Sequence, residues 1–507
     1  MKKNSFGKAL FILTTYLFIS IPAFAQGPPI WRQERVIELR GSWYNIGKQV
    51  SQYFPEDIYG GAALFSQAMG VPADEAREYY NQVESMIPAD IKEELTGMAE
   101  GLADYCSFTP DYAWGLILVW NFGFDIFTKH QLEPVDQAGA CTAFCFNSEA
   151  GMFLGHNTDN YPSAKYPTAE DYGVVYNFIP ANGDQSFLHF FAPGFAGVVL
   201  AINESGIGVT FNVGRPNKDY TFGLPVTYMI RKAMAKSRTL DEAVGYFQDF
   251  QEQGGHYAHQ GANILIADFK NKSMARLQIT SGDMKITYGQ ELKPGVTYVA
   301  CTNHFDDDFS PLSETDKQSA SNISSMSRYQ KLMELLQQQT TYDLNACWAI
   351  LTDHSNGLDG LPDNNTICRK TPFTATTITN IFTADKAYYT LGVPCDYLPY
   401  YGDYQTIDIK NIIKPAIAGT VRGMFLLPVA KAKVTLEGVS VDGIKHTICT
   451  RWNGKFAFNN LPAGDYNITI ATQDKSDPTK FITRGIKKVA YDGVRKVRVP
   501  YFINSTK

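Results

Sequence analysis

The chain has 507 residues, of which 44% are hydrophobic and 13% aromatic, and its formal net charge is −6. This hydrophobic content is ordinary for a globular protein, and the length predicts more than one domain. A negative net charge gives no electrostatic footprint for nucleic acid, so we expect no nucleic-acid partner.

The first 25 residues have the pattern of a secretory signal peptide. Three lysines precede an apolar core at residues 9–21, which is too short to span a bilayer. Ala23-Phe24-Ala25 then matches a cleavage site, so the mature chain is expected to start at Gln26. No later run of 18 apolar residues occurs. We expect a secreted or periplasmic bacterial protein without a transmembrane segment.

Residues 26–140 are predicted to form a helical N-terminal segment, a candidate propeptide or α-chain. A helix beginning at Pro88-Ala89-Asp90 carries Ile91, Leu95, Met98 and Leu102 at the spacing of one buried face. Further helices are predicted over 56–69, 74–86 and 111–122.

Residues 141–410 are predicted to form one domain in which sheet, helices and sheet follow each other. A β-hairpin begins at Cys141, and Asn203-Glu204-Ser205-Gly206 forms the turn of another. Thr239-Leu240-Asp241-Glu242 is a helix capping pattern. Helices are expected over 224–236, 240–250 and 324–337, and strands over 262–268, 273–279, 296–301, 375–382 and 386–391. This order predicts an α+β fold, with layered αββα packing as the specific form.

Residues 416–507 contain at least five short strand patterns and no convincing helix. They predict a small all-β sandwich. It carries no catalytic grouping, so we expect a stabilising or interaction module, with the docking of a protein or carbohydrate partner as one role.

Cysteine and histidine usage favours an enzyme without a metal or other cofactor. The eight cysteines include no C-x-x-C pair, and His256-x-x-His259 lacks the glutamate of a zincin motif. No phosphate loop or dinucleotide fingerprint is present. A papain-like Cys–His dyad, with His156, His256, His259 or His304 as its histidine, is an alternative. In an oxidising compartment some cysteines can pair, with connectivity left open, and Cys141 is the candidate for a thiol that stays free.

Cys141 is the most informative residue. It lies in Ala-Gly-Ala-Cys-Thr-Ala-Phe-Cys, residues 138–145, and Gly-His-Asn-Thr-Asp-Asn follows at 155–160. A thiol at the leading edge of a hairpin can cut the chain before itself. The same residue then carries both the nucleophile and a base, its freed α-amine. The alternative is that Cys141 is a buried structural cysteine, which is the role expected of Cys145.

Several motifs extend this pattern in order along residues 40–395. They are Cys141-Thr142 with Asp159, the Asn203 hairpin, Cys301-Thr302-Asn303-His304, Ser327-Arg328 and Ile367-Cys368-Arg369. Together they resemble the isopenicillin N acyltransferase family of N-terminal nucleophile hydrolases. More distantly, the chain is similar to choloylglycine hydrolase, penicillin V acylase and acid ceramidase.

The resemblance implies a four-layer αββα fold and autocleavage between Ala140 and Cys141. It assigns Asp159 to hold the freed amine and Asn303 to donate to the oxyanion, with Asn212 as a weaker oxyanion candidate. The family's late arginine falls at residues 373–374, where this chain has Phe-Thr, so Arg369 is the nearest substitute.

The implied function is hydrolysis of a linear carbon–nitrogen amide bond through an acyl-thioester at Cys141. Acyl transfer by the same acyl-enzyme is the nearest variant, and an inactive ligand-binding scaffold is the rival. The substrate is expected to be a small acylated amide of undefined identity, and the oligomeric state is open.

The last part of the chain has a resemblance of its own. Gly419-Thr420-Val421, residues 432–436 and residues 461–466 are similar to carboxypeptidase regulatory-like domains.

Overall fold

The computed structural model describes most of the chain from residue 36 onward. The signal-peptide prediction for residues 1–25 lies outside the described residues. Within the described part, no helix is long and apolar enough to cross a membrane. The described residues are 36–130, 140–160, 174–180, 183–214, 222–258, 261–311, 313–371, 374–397, 404–409, 415–423, 427–441, 445–450, 454–459, 461, 464–474, 477, 480–491 and 497–502.

The helices fall before, between and after the strands of the central sheets. Their bounds are α1 Trp43–Tyr53, α2 Pro55–Ala63, α3 Ala73–Val83, α4 Ala89–Cys106, α5 Pro110–His130, α6 Val226–Lys236, α7 Leu240–Glu252, α8 Glu314–Lys317, α9 Ala320–Gln338, α10 Leu344–Leu351 and α11 Pro394–Tyr397. A π-helical turn, Leu64–Ala68, follows α2, and short 3₁₀ turns occupy Glu84–Met86 and Leu358–Gly360.

The strands of the central part are β1 Val36–Gly41, β2 Ala140–Ser148, β3 Gly151–Asn160, β4 Val174–Pro180, β5 Phe187–Phe191, β6 Leu200–Asn203, β7 Ile207–Val213, β8 Ala262–Asp268, β9 Ser273–Ile279, β10 Met284–Tyr288, β11 Gln290–Lys293, β12 Val296–Cys301, β13 Ala375–Phe382, β14 Lys386–Leu391 and β15 Gln405–Asp408. The C-terminal strands are β16 Pro415–Arg422, β17 Lys433–Gly438, β18 Lys445–Cys449, β19 Lys455–Asn459, β20 Gly464–Gln473, β21 Phe481–Tyr491 and β22 Val497–Phe502.

Two sheets face each other in the central part. Among the described residues, one sheet has the order β1-β4-β5-β6-β7-β8-β9-β10 and the other β11-β12-β2-β3-β13-β14-β15. β2 contacts β7 and β8 across the layer, and Phe190 of the first sheet packs on Phe382 of the second. The sheets therefore enclose a shared apolar core, to which Leu154 and Val209 belong.

Helices cover both outer faces of this sheet pair. α6 and α7 contact β6–β9, whereas α9 and α10 contact β2, β3, β12 and β13. A second core, with Phe144, Leu332 and Trp348, lies under α9 and α10. The α+β class and the αββα layering expected from the sequence are confirmed.

Several local expectations are also confirmed. Ile91, Leu95, Met98 and Leu102 of α4 are all buried, because their spacing places them on one face of the helix. The Asn203 side chain accepts hydrogen bonds from Ser205 N and Ile207 N, which closes the β6–β7 turn. Thr239 caps α7 by accepting from the backbone of Glu242.

The N-terminal segment is less purely helical than expected. β1 is a strand that pairs in parallel with β4 at the edge of the eight-stranded sheet, so the segment contributes a strand in addition to the helices expected from the sequence. Since a parallel pair joins segments distant in sequence, the local pattern does not identify its partner. This strand makes the segment part of the sheet.

The C-terminal strands form two further sheets, ordered β19-β16-β22 and β18-β17-β20-β21 among the described residues. Their facing side chains share one core, which includes Ile417, Val434 and Ile468. This agrees with the expected all-β architecture. The guanidinium of Arg40, on β1, donates to the carbonyl of Leu461 at 3.4 Å. The likeness to carboxypeptidase regulatory-like domains stays a prediction.

A buried ion pair joins the N-terminal segment to the central part. Arg231 Nη2 of α6 donates to Glu94 Oε2 of α4 at 2.6 Å, and both side chains are almost fully buried. The Arg231 guanidinium also lies 3.6 Å from the ring centroid of Trp43 on α1. Burial raises the pKa of Glu94, and the charge of Arg231 opposes that shift. One cation thus contacts two helices of the N-terminal segment.

We expect Glu94→Ala to lower the free energy of unfolding by about 3–5 kcal/mol, because it leaves a buried guanidinium without its counter-charge. Chemical denaturation measures the change. The matched control is Glu93→Ala, since Glu93 is an exposed neighbour on the same helix. Equal stability of the two variants would contradict this role for the ion pair.

Candidate active site

Cys141 is the second residue of β2, a strand between β12 and β3 in the seven-stranded sheet. It is 5% exposed, and its thiol is free, as expected. Its strand neighbour Ala140 pairs with Asp159 of β3, and Cys141 itself pairs with Thr158. The peptide bond proposed for cleavage therefore lies at the start of the β2–β3 ladder, beside Asp159.

The backbone of Cys141 is fixed from both sides. Its N–H donates to Asn303 Oδ1 at 3.0 Å, and its carbonyl accepts from Arg328 Nη1 at 2.5 Å. Arg328 Nη1 also donates to Thr142 Oγ1 at 2.9 Å, and Nη2 donates to Asn303 Oδ1 at 2.8 Å. Asn303 Oδ1 thus accepts hydrogens from the backbone nitrogen of Cys141 and from a buried guanidinium.

The turn that carries Asn303 is anchored on helix α9. The hydroxyl of Ser325 accepts from Asn303 N at 2.8 Å and from His304 N at 3.0 Å. Thr302 Oγ1 donates to the Ser325 carbonyl at 3.0 Å. The side-chain nitrogen of Asn303 donates to the carbonyl of Val213 at 2.9 Å. These bonds leave the amide oxygen directed at Cys141.

Asp159 is fully buried and has two side-chain partners. Its Oδ1 accepts from Thr376 Oγ1 at 2.8 Å, and its Oδ2 faces Arg369 Nη1 at 3.4 Å. Burial raises the pKa of this carboxyl, whereas the charges of Arg369 and Arg328 lower it. The structure therefore brings together Cys141, Asp159, Asn303 and Arg369, four of the residues singled out from the sequence.

The thiol of Cys141 is strongly held in its neutral form. Burial and the nearby charge of Asp159 raise its pKa to about 12, against the opposing effects of a backbone hydrogen bond from Asp159 and of Arg328 and Arg369. At neutral pH such a thiol needs a base before it can attack.

Neither His156 nor His304 is suited to supply that base. The His156 ring contacts Phe211 O and Asn212 Oδ1 through Nε2 and Thr158 Oγ1 through Nδ1, and burial lowers its pKa to about 3. His304 contacts Ser325 Oγ through Nδ1 at 2.9 Å, and burial lowers its pKa to about 4. For these two histidines the dyad alternative therefore loses its support. His259 lies outside the described residues, within which no group of three metal-ligating side chains occurs.

Asn212 has a different role from the one expected. Its side-chain nitrogen donates to the carbonyls of Cys301 at 3.4 Å and Thr302 at 3.2 Å. Since an amide nitrogen carries two hydrogens, both are used, and none remains for an oxyanion. Asn263 donates to Thr302 O as well. We therefore correct the assignment: Asn212 supports the turn that holds Asn303.

Arg328 is the site residue that sequence reasoning missed. The Ser327-Arg328 motif was noted as a family feature, but no role followed from it. Its guanidinium is 0% exposed and reaches a carbonyl 187 residues earlier in the chain. The usable signal was the motif itself, because residue type alone predicts that an arginine in the middle of helix α9 lies on the surface.

A disulfide lies next to the site. Cys368, the residue before Arg369, is bonded to Cys395 of α11. The described residues include all eight cysteines, and the other six are free.

Comparison with known proteins gives one family and several distant likenesses. Residues 146–391 match the family model described as acyl-coenzyme A:6-aminopenicillanic acid acyl-transferase. The matched segment contains Asp159, Asn303, Arg328 and Arg369 and begins five residues after Cys141.

An uncharacterized protein of Archaeoglobus fulgidus is 22% identical over 234 residues, which cover 41% of this chain and 38% of the archaeal protein. The chain therefore spans well under half of that relative's length.

Among solved structures, the Caenorhabditis elegans ortholog of N-acylethanolamine-hydrolyzing acid amidase is 15% identical, with a TM-score of 0.34, over 53% of this chain and 100% of that chain. A mutant of conjugated bile acid hydrolase from Clostridium perfringens is 12% identical, with a TM-score of 0.31, over 53% of this chain and 92% of that chain. Over residues 146–391 the chain thus resembles the acyl-coenzyme A:6-aminopenicillanic acid acyl-transferase family, as its motifs predicted.

Proposed function

We propose that the protein is an exported, self-processing cysteine amidohydrolase that cleaves a linear amide bond through an acyl-thioester at Cys141. The observation that carries the proposal is the 3.0 Å contact between Cys141 N and Asn303 Oδ1, made beside the Asp159 carboxyl. If this nitrogen becomes a free amine, the buried acceptor beside it can orient that amine. The export signal itself lies outside the described residues.

Self-processing begins with the thiol. The Cys141 sulfur attacks the Ala140 carbonyl carbon, the thiol proton passes to the Cys141 nitrogen, and the carbon–nitrogen bond breaks to leave a thioester. Water then hydrolyses the thioester, which yields the Ala140 carboxylate, a free thiol and a free α-amine. Because Ala140 pairs with Asp159, the new chain start lies beside a carboxylate.

Turnover uses the freed amine as the base. An α-amine has a pKa of roughly 7.7–8.0, so near neutral pH it can take the thiol proton. Asn303 Oδ1 accepts one amine hydrogen and directs the nitrogen lone pair away from itself. Asp159 holds the ammonium that forms. The sulfur attacks the substrate carbonyl, the proton passes to the leaving amine, and water later releases the acid.

Asn303 also serves the oxyanion in this proposal. One hydrogen of its amide nitrogen is donated to Val213 O, and the second remains for the tetrahedral intermediate. One such donor contributes about 3–4 kcal/mol of transition-state stabilisation in comparable sites.

Acyl transfer is the second candidate, because the description of the matched family is an acyl-transferase. The two activities share every step up to the acyl-enzyme. They differ in whether water or an amine reaches the thioester first. In a water-filled export compartment we favour hydrolysis, and the substrate is a small acylated amide.

We expect purified wild-type protein to consist of two fragments that meet between Ala140 and Cys141, because the thiol cuts the preceding bond. Cys141→Ala removes the nucleophile and should leave a single uncut chain. Intact-mass measurement distinguishes the two.

The matched control is Cys145→Ala, which removes another buried thiol on the same face of β2 and should be cut normally. An uncut wild-type chain, or cutting in the Cys141 variant, would reject self-processing and favour the ligand-binding scaffold.

The two reactions should differ in pH dependence. In the uncut chain the thiol pKa of about 12 keeps the thiolate scarce, and its fraction grows about tenfold per pH unit between pH 6 and 9. The rate of self-cleavage of freshly synthesised chain should rise over this whole range. Turnover by the cut protein should instead level off once the amine is unprotonated, above about pH 8. A plateau at the same pH in both profiles would argue against a base created by the cut.

A further inference from the structure

The Cys368–Cys395 disulfide occupies a position that bears on the candidate site. Cys368 is fully buried and precedes Arg369, whose guanidinium faces Asp159. Cys395 belongs to α11, directly after β14. The covalent bond closes a sequence separation of 27 residues that includes β13 and β14.

The Arg369 side chain makes few hydrogen bonds, and its contact with Asp159 is long. Its Nη1 lies 3.4 Å from Asp159 Oδ2, longer than the ~2.7–2.9 Å of a strong charged hydrogen bond. Nη2 donates to Asn364 Oδ1 at 3.0 Å, and the buried Nε has no hydrogen-bond partner. The direction of the guanidinium therefore depends on how its backbone is held.

The backbone around Arg369 is also held by hydrogen bonds: the Cys368 carbonyl accepts from Thr366 Oγ1 at 2.5 Å, and the Ile367 carbonyl accepts from Asn157 Nδ2 at 3.0 Å. Arg369 N donates to Thr376 Oγ1 at 3.0 Å, and Thr376 N donates to Arg369 O at 3.0 Å. On the other side, Cys368 N donates to Asp353 O at 2.9 Å. The disulfide is the covalent anchor of this short segment. Thr376 completes the arrangement, since its hydroxyl donates to Asp159 Oδ1.

We propose that the Cys368–Cys395 disulfide is a positioning element: it holds Arg369 against Asp159, so that the site reaches full activity only after the disulfide has formed. This inference rests on the proposed function. Formation is a two-electron oxidation, in which two thiols lose two protons and two electrons to the disulfide of an oxidant such as a thiol–disulfide oxidoreductase, which leaves as a dithiol. Such a bond persists in an oxidising compartment outside the cytosol.

The consequence for Asp159 has a definite sign. The charge of Arg369 is the leading influence that lowers the pKa of this carboxyl against the effect of burial. When the guanidinium moves away, the pKa rises, and Asp159 becomes protonated at a higher pH. A protonated carboxyl cannot hold the ammonium of Cys141, so activity is lost from the acid side first.

The test compares wild type with Cys395→Ala, which removes the disulfide without changing the residue next to Arg369. We expect kcat/KM to fall by about 10–100-fold at neutral pH, the usual cost of losing a group that orients a reactive residue. The acid limb of the pH profile should move to higher pH. Reduction of wild type with a phosphine should reproduce both changes, and reoxidation should reverse them.

The matched control is Cys449→Ala, which removes an exposed free thiol and should leave the profile unchanged. An unshifted acid limb in the Cys395 variant, even with lower activity, would mean that the disulfide only stabilises the fold, and the inference would be overturned.

A second measurement separates this inference from the proposed function. Crystal structures of wild type and of Cys395→Ala give the distance from Arg369 Nη1 to Asp159 Oδ2 directly. An unchanged contact would overturn the inference whatever the activity. If wild type is neither cut nor active, the proposed function fails, while a lengthened contact in the variant still supports the positioning role.

Discussion

The site depends on one buried oxygen, Asn303 Oδ1, which accepts hydrogens from both Cys141 N and Arg328 Nη2. An amide oxygen has two lone pairs and can accept both bonds, and further contacts hold it in place to do so. Ser325 fixes the backbone of Asn303, Val213 O fixes the other half of its amide, and Asn212 supports the preceding carbonyls. The two sheets and helix α9 thus meet at the backbone nitrogen of Cys141, and the other contacts of the candidate site hold that arrangement in place.

The same architecture determines what a cut before Cys141 would do to the N-terminal segment. β1 is paired with β4 along its whole length, and Trp43 and Glu94 both contact Arg231 on α6. Breaking one covalent bond removes none of these contacts. After such a cut the segment would stay bound to the rest of the chain, because its release would expose apolar surface of the eight-stranded sheet and leave a buried arginine unpaired.

The sequence predicted what is encoded locally. The apolar spacing in α4, the Thr239 cap and the hairpin at Cys141 depend on neighbouring residues, and each is present. β1 escaped prediction, because its partner lies far along the chain. The site divides in the same way. The order of the motifs identified Cys141, Asp159 and Asn303 as candidates. The role of Arg328, in contrast, depends on its hydrogen bond to the carbonyl of Cys141, 187 residues earlier in the chain. Asn212 was given an oxyanion role because the sequence shows the residue type but not the hydrogen bonds that its side chain makes.

Burial and reactivity conflict at Cys141, and the proposed cut resolves the conflict. The buried surroundings hold the uncut thiol neutral, with a pKa of about 12, and His156 is committed to bonds elsewhere. An enzyme of this kind gains its base only when the peptide nitrogen of Cys141 becomes an amine, in a position where an acceptor already holds it. The strand geometry that protects the thiol before cleavage is then the geometry that places the base beside it afterwards. Under the proposed mechanism, reactivity toward amides would be confined to chains that have folded well enough to cut themselves.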